Sequence, residues 1–219
     1  MGVGAACVAL AALAALAALG RAGRADAGAL GDLAVFVPEV LPALPGAALD
    51  VSFGDLAVDF GTDVSPTDAQ RAPALAWDAQ DAALYTVAIT NPDIPTIEQH
   101  IYGELVHWLV GNVAGNDVSA GDPVWEYLSP GPPKETGTHR YVVLVLKQPG
   151  RLTFDGEPRN NATTLDDRFH FSLQKFAEKH GLELPPVAGN FFQSTWDPTV
   201  DKLAQVRTFK GQVVATLKP

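Results

Sequence analysis

A chain of 219 residues, 47 % apolar and only 18 % charged, can bury a sizeable core without covalent staples and is too apolar to be disordered. Its formal net charge of −10, with no basic run, argues against a nucleic-acid partner and leaves at most a peripheral contact with a membrane. One local pocket of opposite sign stays compatible with that charge, because the potential inside a cleft follows the groups that line it.

Residues 3–19 form an uncharged Ala/Leu run, followed by Arg21, Arg24 and the small-x-small triplet Ala25-Asp26-Ala27. The run is short and Ala-rich for a membrane span, so residues 1–27 read as a signal peptide and 28–219 as a single secreted domain. A membrane anchor and a mitochondrial transit segment are the alternatives, because the two arginines follow the apolar run instead of preceding it. The single cysteine, Cys7, belongs to that leader, which leaves no thiol chemistry and no cysteine metal site to the rest. Asn161-Ala162-Thr163 is a glycosylation sequon.

Asp32 to Phe36 suits a short helix. From Leu49 to Phe60 apolar residues alternate with polar ones and change phase at Gly54-Asp55, which predicts a hairpin. Residues 61–73 read as loop. Strands are predicted at Ala74 to Trp77, Tyr85 to Thr90, Leu105 to Val113 and Arg140 to Lys147, the last being the strongest β signal of the chain. Residues 114–138 are rich in turn formers. A helix is predicted over Thr164 to His180, with Phe169, Leu173 and Phe176 on one face and Gly181 as its stop. Phe191 to Trp196 reads as a short strand, and Asp197-Pro198 as the start of a helix running to about Phe209. The fold class is therefore mainly β: two antiparallel sheets in a sandwich-like core, with peripheral helices including a C-terminal one.

Three segments place polar residues at strand ends. Asn91-Pro92-Asp93-Ile94-Pro95 follows a strand, and its two prolines fix the backbone around Asp93. Tyr102 precedes the next strand, and His107 lies inside it. Gly131-Pro132-Pro133 leads to His139-Arg140-Tyr141 at the start of the strongest strand. Singly, each has an ordinary structural explanation, a turn or a core histidine. Together, two His, one Asp and two Tyr offer donors and acceptors suited to a phosphate, or in principle to acid–base work.

In order and spacing these segments resemble the signature of the phosphatidylethanolamine-binding protein family. GNDVSAGD between them and TWD near the end extend the likeness over roughly residues 49–205. The resemblance implies two packed antiparallel sheets and a pocket for phosphate-bearing headgroups or other small anions. It assigns to that pocket Asn91, Asp93, Pro95, Tyr102, His107, Gly131, Pro132, His139 and Tyr141, with Arg140 as a partner of the acidic segment. Asn91 stands where the family carries an acid, and Ala204 where it often presents a Tyr.

No Gly-x-Ser-x-Gly elbow, His-Glu-x-x-His helix or phosphate-loop glycine motif occurs. The expectation is a protein that is not an enzyme, has no cofactor or metal, and binds a phospholipid headgroup or small anion. A protease inhibitor or signalling regulator acting on a protein partner is the second reading. If His107 or His139 is the cation of the pocket, anion affinity falls as pH rises past about 6.5.

Overall fold

The computed structural model describes residues 30–214, so the expected leader over 1–27 lies outside the described residues. A 3-10 helix over Gly31–Phe36 opens the described chain. Strands β1 (Asp50–Phe53) and β2 (Leu56–Val58) form the predicted hairpin, pairing Phe53 with Leu56 across Gly54-Asp55. Gly54 has φ +59°, which a two-residue hairpin loop with glycine first requires. β3 (Thr62–Asp63), β4 (Ala74–Ala76), β5 (Leu84–Asn91), β6 (Leu105–Ala114), β7 (Asp122–Trp125) and β8 (His139–Lys147) follow. Then come α1 (Leu173–His180), β9 (Ala188–Ser194), α2 (Pro198–Ala204) and a last hairpin of β10 (Thr208–Phe209) and β11 (Gln212–Val213).

A six-stranded sheet in the order β3-β9-β8-β5-β6-β7 forms the centre, and a three-stranded sheet, β2-β1-β4, packs on one face. All pairings are antiparallel except that of β3 with β9, which is parallel and departs from the expected purely antiparallel sheets. Alternation along β8 shows why the central strands read as unbroken apolar runs. Tyr141, Val143 and Val145 enter the core shared with the small sheet. Val142, Leu144 and Leu146 enter a second core with Leu33, Phe36, Leu173 and Phe176. Successive side chains leave opposite faces of a strand, and here both faces are covered. Each Val, Leu or Phe so buried stabilises by about 1.5–3 kcal/mol.

The helix predicted over 164–180 is a helix only from Leu173 onward. Ser172 caps it by accepting from Lys175 N–H, and Gly181 closes it at φ +65°. Before Ser172, Asp167 and His170 take φ of +58° and +57°, which breaks the turn although the apolar spacing suits a helix. What fixes that segment is Arg168, which is fully buried. Its guanidinium donates to the carbonyls of Thr164, Val106, His107, Glu126 and Asn161 at 2.8–3.2 Å. The last predicted helix starts as expected, with Asp197 accepting from Thr199 N–H and Pro198 in the first turn, but it ends at Ala204. The turn-rich stretch 114–138 contains β7, which pairs with β6 through Leu109 and Trp125.

Glu104, also buried, accepts from the first N–H of α1, that of Leu173, at 3.0 Å. Burial raises its pKa from the usual 4.5 to about 7, against the lowering effect of the Leu173 N–H. A carboxyl raised in the folded state contributes stability that is complete below about pH 4.5 and is lost as pH rises through about 7. Glu104→Gln is therefore expected to gain about 3 kcal/mol relative to wild type between pH 4.5 and pH 8. Urea midpoints at the two pH values measure this, and identical pH dependence in both proteins would contradict it.

Candidate functional site

Sheet order places the three polar segments side by side, because β8, β5 and β6 are neighbours. Asn91 ends β5 opposite Leu105 of β6, while His139 and Tyr141 begin β8. The ring of His107 meets that of Tyr141 edge-on, with centroids 5.0 Å apart. Above these strand ends the loop of residues 128–134 and the C-terminal segment after α2 enclose a cavity of about 440 Å³. Eight of the nine residues singled out in the sequence line it: Asn91, Pro95, Tyr102, His107, Gly131, Pro132, His139 and Tyr141. Most of the remaining wall is apolar, including Ile94, Leu165, Phe169, Val200 and Ala204. A recess of about 820 Å³ adjoins it and shares Tyr102, Leu165, Phe169 and Val214.

Asp93 is the ninth and does not line the cavity. Its carboxylate is turned to Arg140 and accepts from that residue's backbone N–H at 2.8 Å, Nε at 2.9 Å and Nη2 at 2.6 Å. With Asp93 fully buried, this pair ties the β5 loop to the first residues of β8 and leaves the acid unavailable to a ligand. Arg140 also covers the ring of Phe36, 4.9 Å from its centroid. Asn161 is exposed, and its Oδ1 accepts from Thr163 N–H and Oγ1–H and from Thr164 N–H.

The protons of both histidines follow from their partners. Asn91 Oδ1 accepts from Asp93 N–H at 2.8 Å, so its Nδ2 faces His139 and donates to Nδ1 at 3.2 Å. Thr136 donates its hydroxyl proton to Pro133 O, so the same oxygen accepts from His139 Nε2–H at 2.8 Å. Both ring nitrogens are thus engaged and the ring is neutral, with burial lowering its pKa against the raising influence of Asp93. An acid at position 91 would accept from Nδ1–H; the amide here donates instead.

His107 is also neutral. Its Nδ1–H donates to Leu128 O at 2.7 Å, and burial, aided by Arg207, Arg168 and His139, lowers its pKa to about 3. Nε2 then carries a lone pair, and no protein group meets it. The condition set above for a pH-dependent affinity, a protonated His107 or His139, is disfavoured by these two arrangements.

The buried cation is one that the sequence did not single out. Arg207 follows α2, lines the cavity and is 8 % exposed. Its Nη2 donates to the carbonyl and hydroxyl oxygens of Ser129, and among the described residues no carboxylate forms an ion pair with it. Burial lowers its pKa to about 10, which leaves it charged at neutral pH. Gly131 makes room for it: a Cβ there would sit 2.0 Å from Arg207 Nη1, so only glycine lets the guanidinium lie against the loop. Arg207 was illegible because its partners lie 78 positions away and its local sequence reads as the end of a helix.

Comparison with known proteins shows the family and the fold. The family model described as phosphatidylethanolamine-binding protein matches residues 44–192. A Drosophila melanogaster protein named "Putative odorant-binding protein A5" is 38 % identical over 168 residues, covering 76 % of this chain and 79 % of that one. The solution structure of CG7054 is similar at 34 % identity, with a TM-score of 0.63 over 79 % of this chain and 98 % of its own. Carboxypeptidase Y inhibitor, solved with its cognate proteinase, shares the fold at 22 % identity, with a TM-score of 0.66 over 78 % of this chain and 96 % of its own. The matched span takes in Asn91, His107, His139 and Tyr141 but stops short of Arg207, and on that span the chain belongs to the phosphatidylethanolamine-binding protein family.

Proposed function

We propose that this chain is a non-catalytic binding protein that holds a small molecule by an anionic group in the 440 Å³ cavity. Arg207 carries the reading. A guanidinium taken out of water costs several kcal/mol, and among the described residues no carboxylate forms an ion pair with it, so an incoming anion completes the site. Headgroups of the phosphatidylethanolamine type are the ligand class that the family description names. The apolar walls and the adjoining recess suit a ligand whose remainder is apolar, in line with the small-molecule binding in the name of the Drosophila relative. Secretion, through cleavage after Ala27, and glycosylation at Asn161 complete the proposal.

The cavity offers little to acid–base catalysis. His139 has both nitrogens engaged, and His107 stays neutral down to about pH 3, so neither is poised near neutral pH. The inhibitor reading rests on fold alone, through a neighbour at 22 % identity, and ranks second. Titration calorimetry with phosphoethanolamine tests the first: one-to-one binding is expected, together with a thermal midpoint that rises with ligand concentration. The absence of both heat and thermal shift at millimolar ligand would overturn it.

A further inference from the structure

Resting on that reading, we propose that the ligand is a single-chain amphiphile taken from solution, with its anion on Arg207 and its chain laid along three aromatic rings that lead from the cavity into the adjoining recess. The two spaces share Tyr102, Leu165, Phe169 and Val214, all of which offer apolar surface. Phe169 links the other two rings: it meets Tyr102 edge-on at 6.4 Å and Phe209 edge-on at 5.9 Å between centroids. Tyr102 lines both spaces, whereas Phe209 lines the recess alone. These side chains are not spent on either core: Leu165, Phe169 and Phe209 are half-buried, and Tyr102 is 46 % exposed. Apolar side chains left uncovered singly need no explanation, but a contiguous set of them marks a binding surface. The cavity alone already has the size of a site for a small organic molecule, about 300–1,000 Å³, so the recess is room for more than a headgroup.

The other charged groups of the two walls are engaged beside this path. Asp201 and Lys134, both exposed, meet at Trp196: Asp201 Oδ1 accepts from its Nε1–H at 3.2 Å, and Lys134 Nζ lies 5.0 Å from its ring centroid. In the recess, Asp166 Oδ1 accepts from the backbone N–H of Lys210 at 2.6 Å, and Lys210 Nζ lies 5.4 Å from the centroid of Phe209. Asp167 and His170 line the recess and are exposed. Arg207 is the one buried cation among the residues that line either space, so the anion is fixed at the cavity end and the chain is left to the recess. Apart from Arg207, the walls carry three acids against two lysines, which gives an anionic bilayer no electrostatic hold. A lipid that keeps its chains in a bilayer cannot lay one along the rings, so the ligand comes to this site as a free molecule.

A series of monoalkyl phosphates from methyl to octyl tests this by calorimetry on the intact protein, at one pH and below the micelle concentration of each. A fully buried methylene strengthens binding about fourfold. With each methylene only half covered, octyl phosphate is still expected to bind about tenfold more tightly than butyl phosphate. Phosphoethanolamine is expected to displace octyl phosphate, because both anions need Arg207. Affinity that stays flat from methyl to octyl would overturn the proposal and leave the anion reading standing. Octyl phosphate that phosphoethanolamine does not displace would overturn it as well, since the chain would then be bound elsewhere. If no member of the series binds, the anion reading itself fails and this inference falls with it. Phe209→Asn is expected to lower the octyl-to-methyl ratio by about threefold or more, and an unchanged ratio would remove the chain from the recess. Should that variant not fold, the wild-type series decides. Vesicles of phosphatidylcholine and phosphatidylethanolamine separate a bilayer headgroup from a free amphiphile: the protein is expected to stay in the supernatant on sedimentation, and its capture by the vesicles would overturn the proposal.

Discussion

Arg168→Lys is expected to destabilise the protein by about 1–6 kcal/mol, although it conserves charge. The guanidinium satisfies five backbone carbonyls from three separate stretches of chain: 161–164, 106–107 and 126. An ammonium has three protons, so at least two of the five bonds are lost; His107 O keeps the N–H of Leu128 at 2.7 Å, so at least one carbonyl is left without a donor. Each such group costs about 1–3 kcal/mol. The lysine also keeps the cost of burying a charge, which already lowers the pKa of Arg168 to about 10, with the nearby charge of Arg207 adding to the effect. Urea unfolding followed at two wavelengths gives the midpoint and slope, and a loss below about 1 kcal/mol would show that the carbonyls find other partners. Because His107 O is one of the five acceptors, some of the damage is expected to reach the cavity as weakened binding.

Arg207→Met is expected to separate binding from stability. Loss of the cation removes the charge-assisted contact with the anion, worth about 2–5 kcal/mol, so affinity for phosphoethanolamine falls at least thirtyfold by about the same reckoning. The unliganded protein is expected to melt at the wild-type temperature or slightly above it. Removing an unpaired buried guanidinium relieves several kcal/mol of desolvation. Against that stand the two Ser129 oxygens left without a donor, at about 1–3 kcal/mol each. The decisive readout is the ligand-induced shift in Tm, present in wild type and absent in the variant. Retained affinity would remove Arg207 from the site, and affinity lost together with the fold would make it a structural strut.

The strands were legible because local chemistry settled them. YTVAIT and the VVLVL within RYVVLVLK are β-branched or apolar, and both faces of the sheet turn out to be covered. The hairpin at Gly54 and the capped start at Asp197-Pro198 were legible for the same reason. Residues 164–172 misled because Phe169 and Leu173 keep helical spacing, while contacts far along the chain draw Arg168 inward. Those contacts leave no trace in the local pattern. At the cavity the sequence brought forward the residues at strand ends, and eight of nine surround one space. Residue types alone do not give the direction of a proton. That Asn91 donates to His139, and that His107 spends its ring proton on Leu128 O, follows only from the identity of their neighbours.

The cavity is assembled from two sources that answer to different constraints. Asn91, His107, His139 and Tyr141 sit on β5, β6 and β8, strands that border two cores. Its cation and much of its mouth come from the stretch of Val200, Ala204, Arg207 and Val214, which is tethered by short helix and hairpin contacts. Drift in that stretch can therefore exchange one ligand for another, by charge or by bulk, while the sheet beneath is inherited unchanged. A lineage built on this plan can diversify its chemistry of recognition at its C-terminal end without renegotiating its fold.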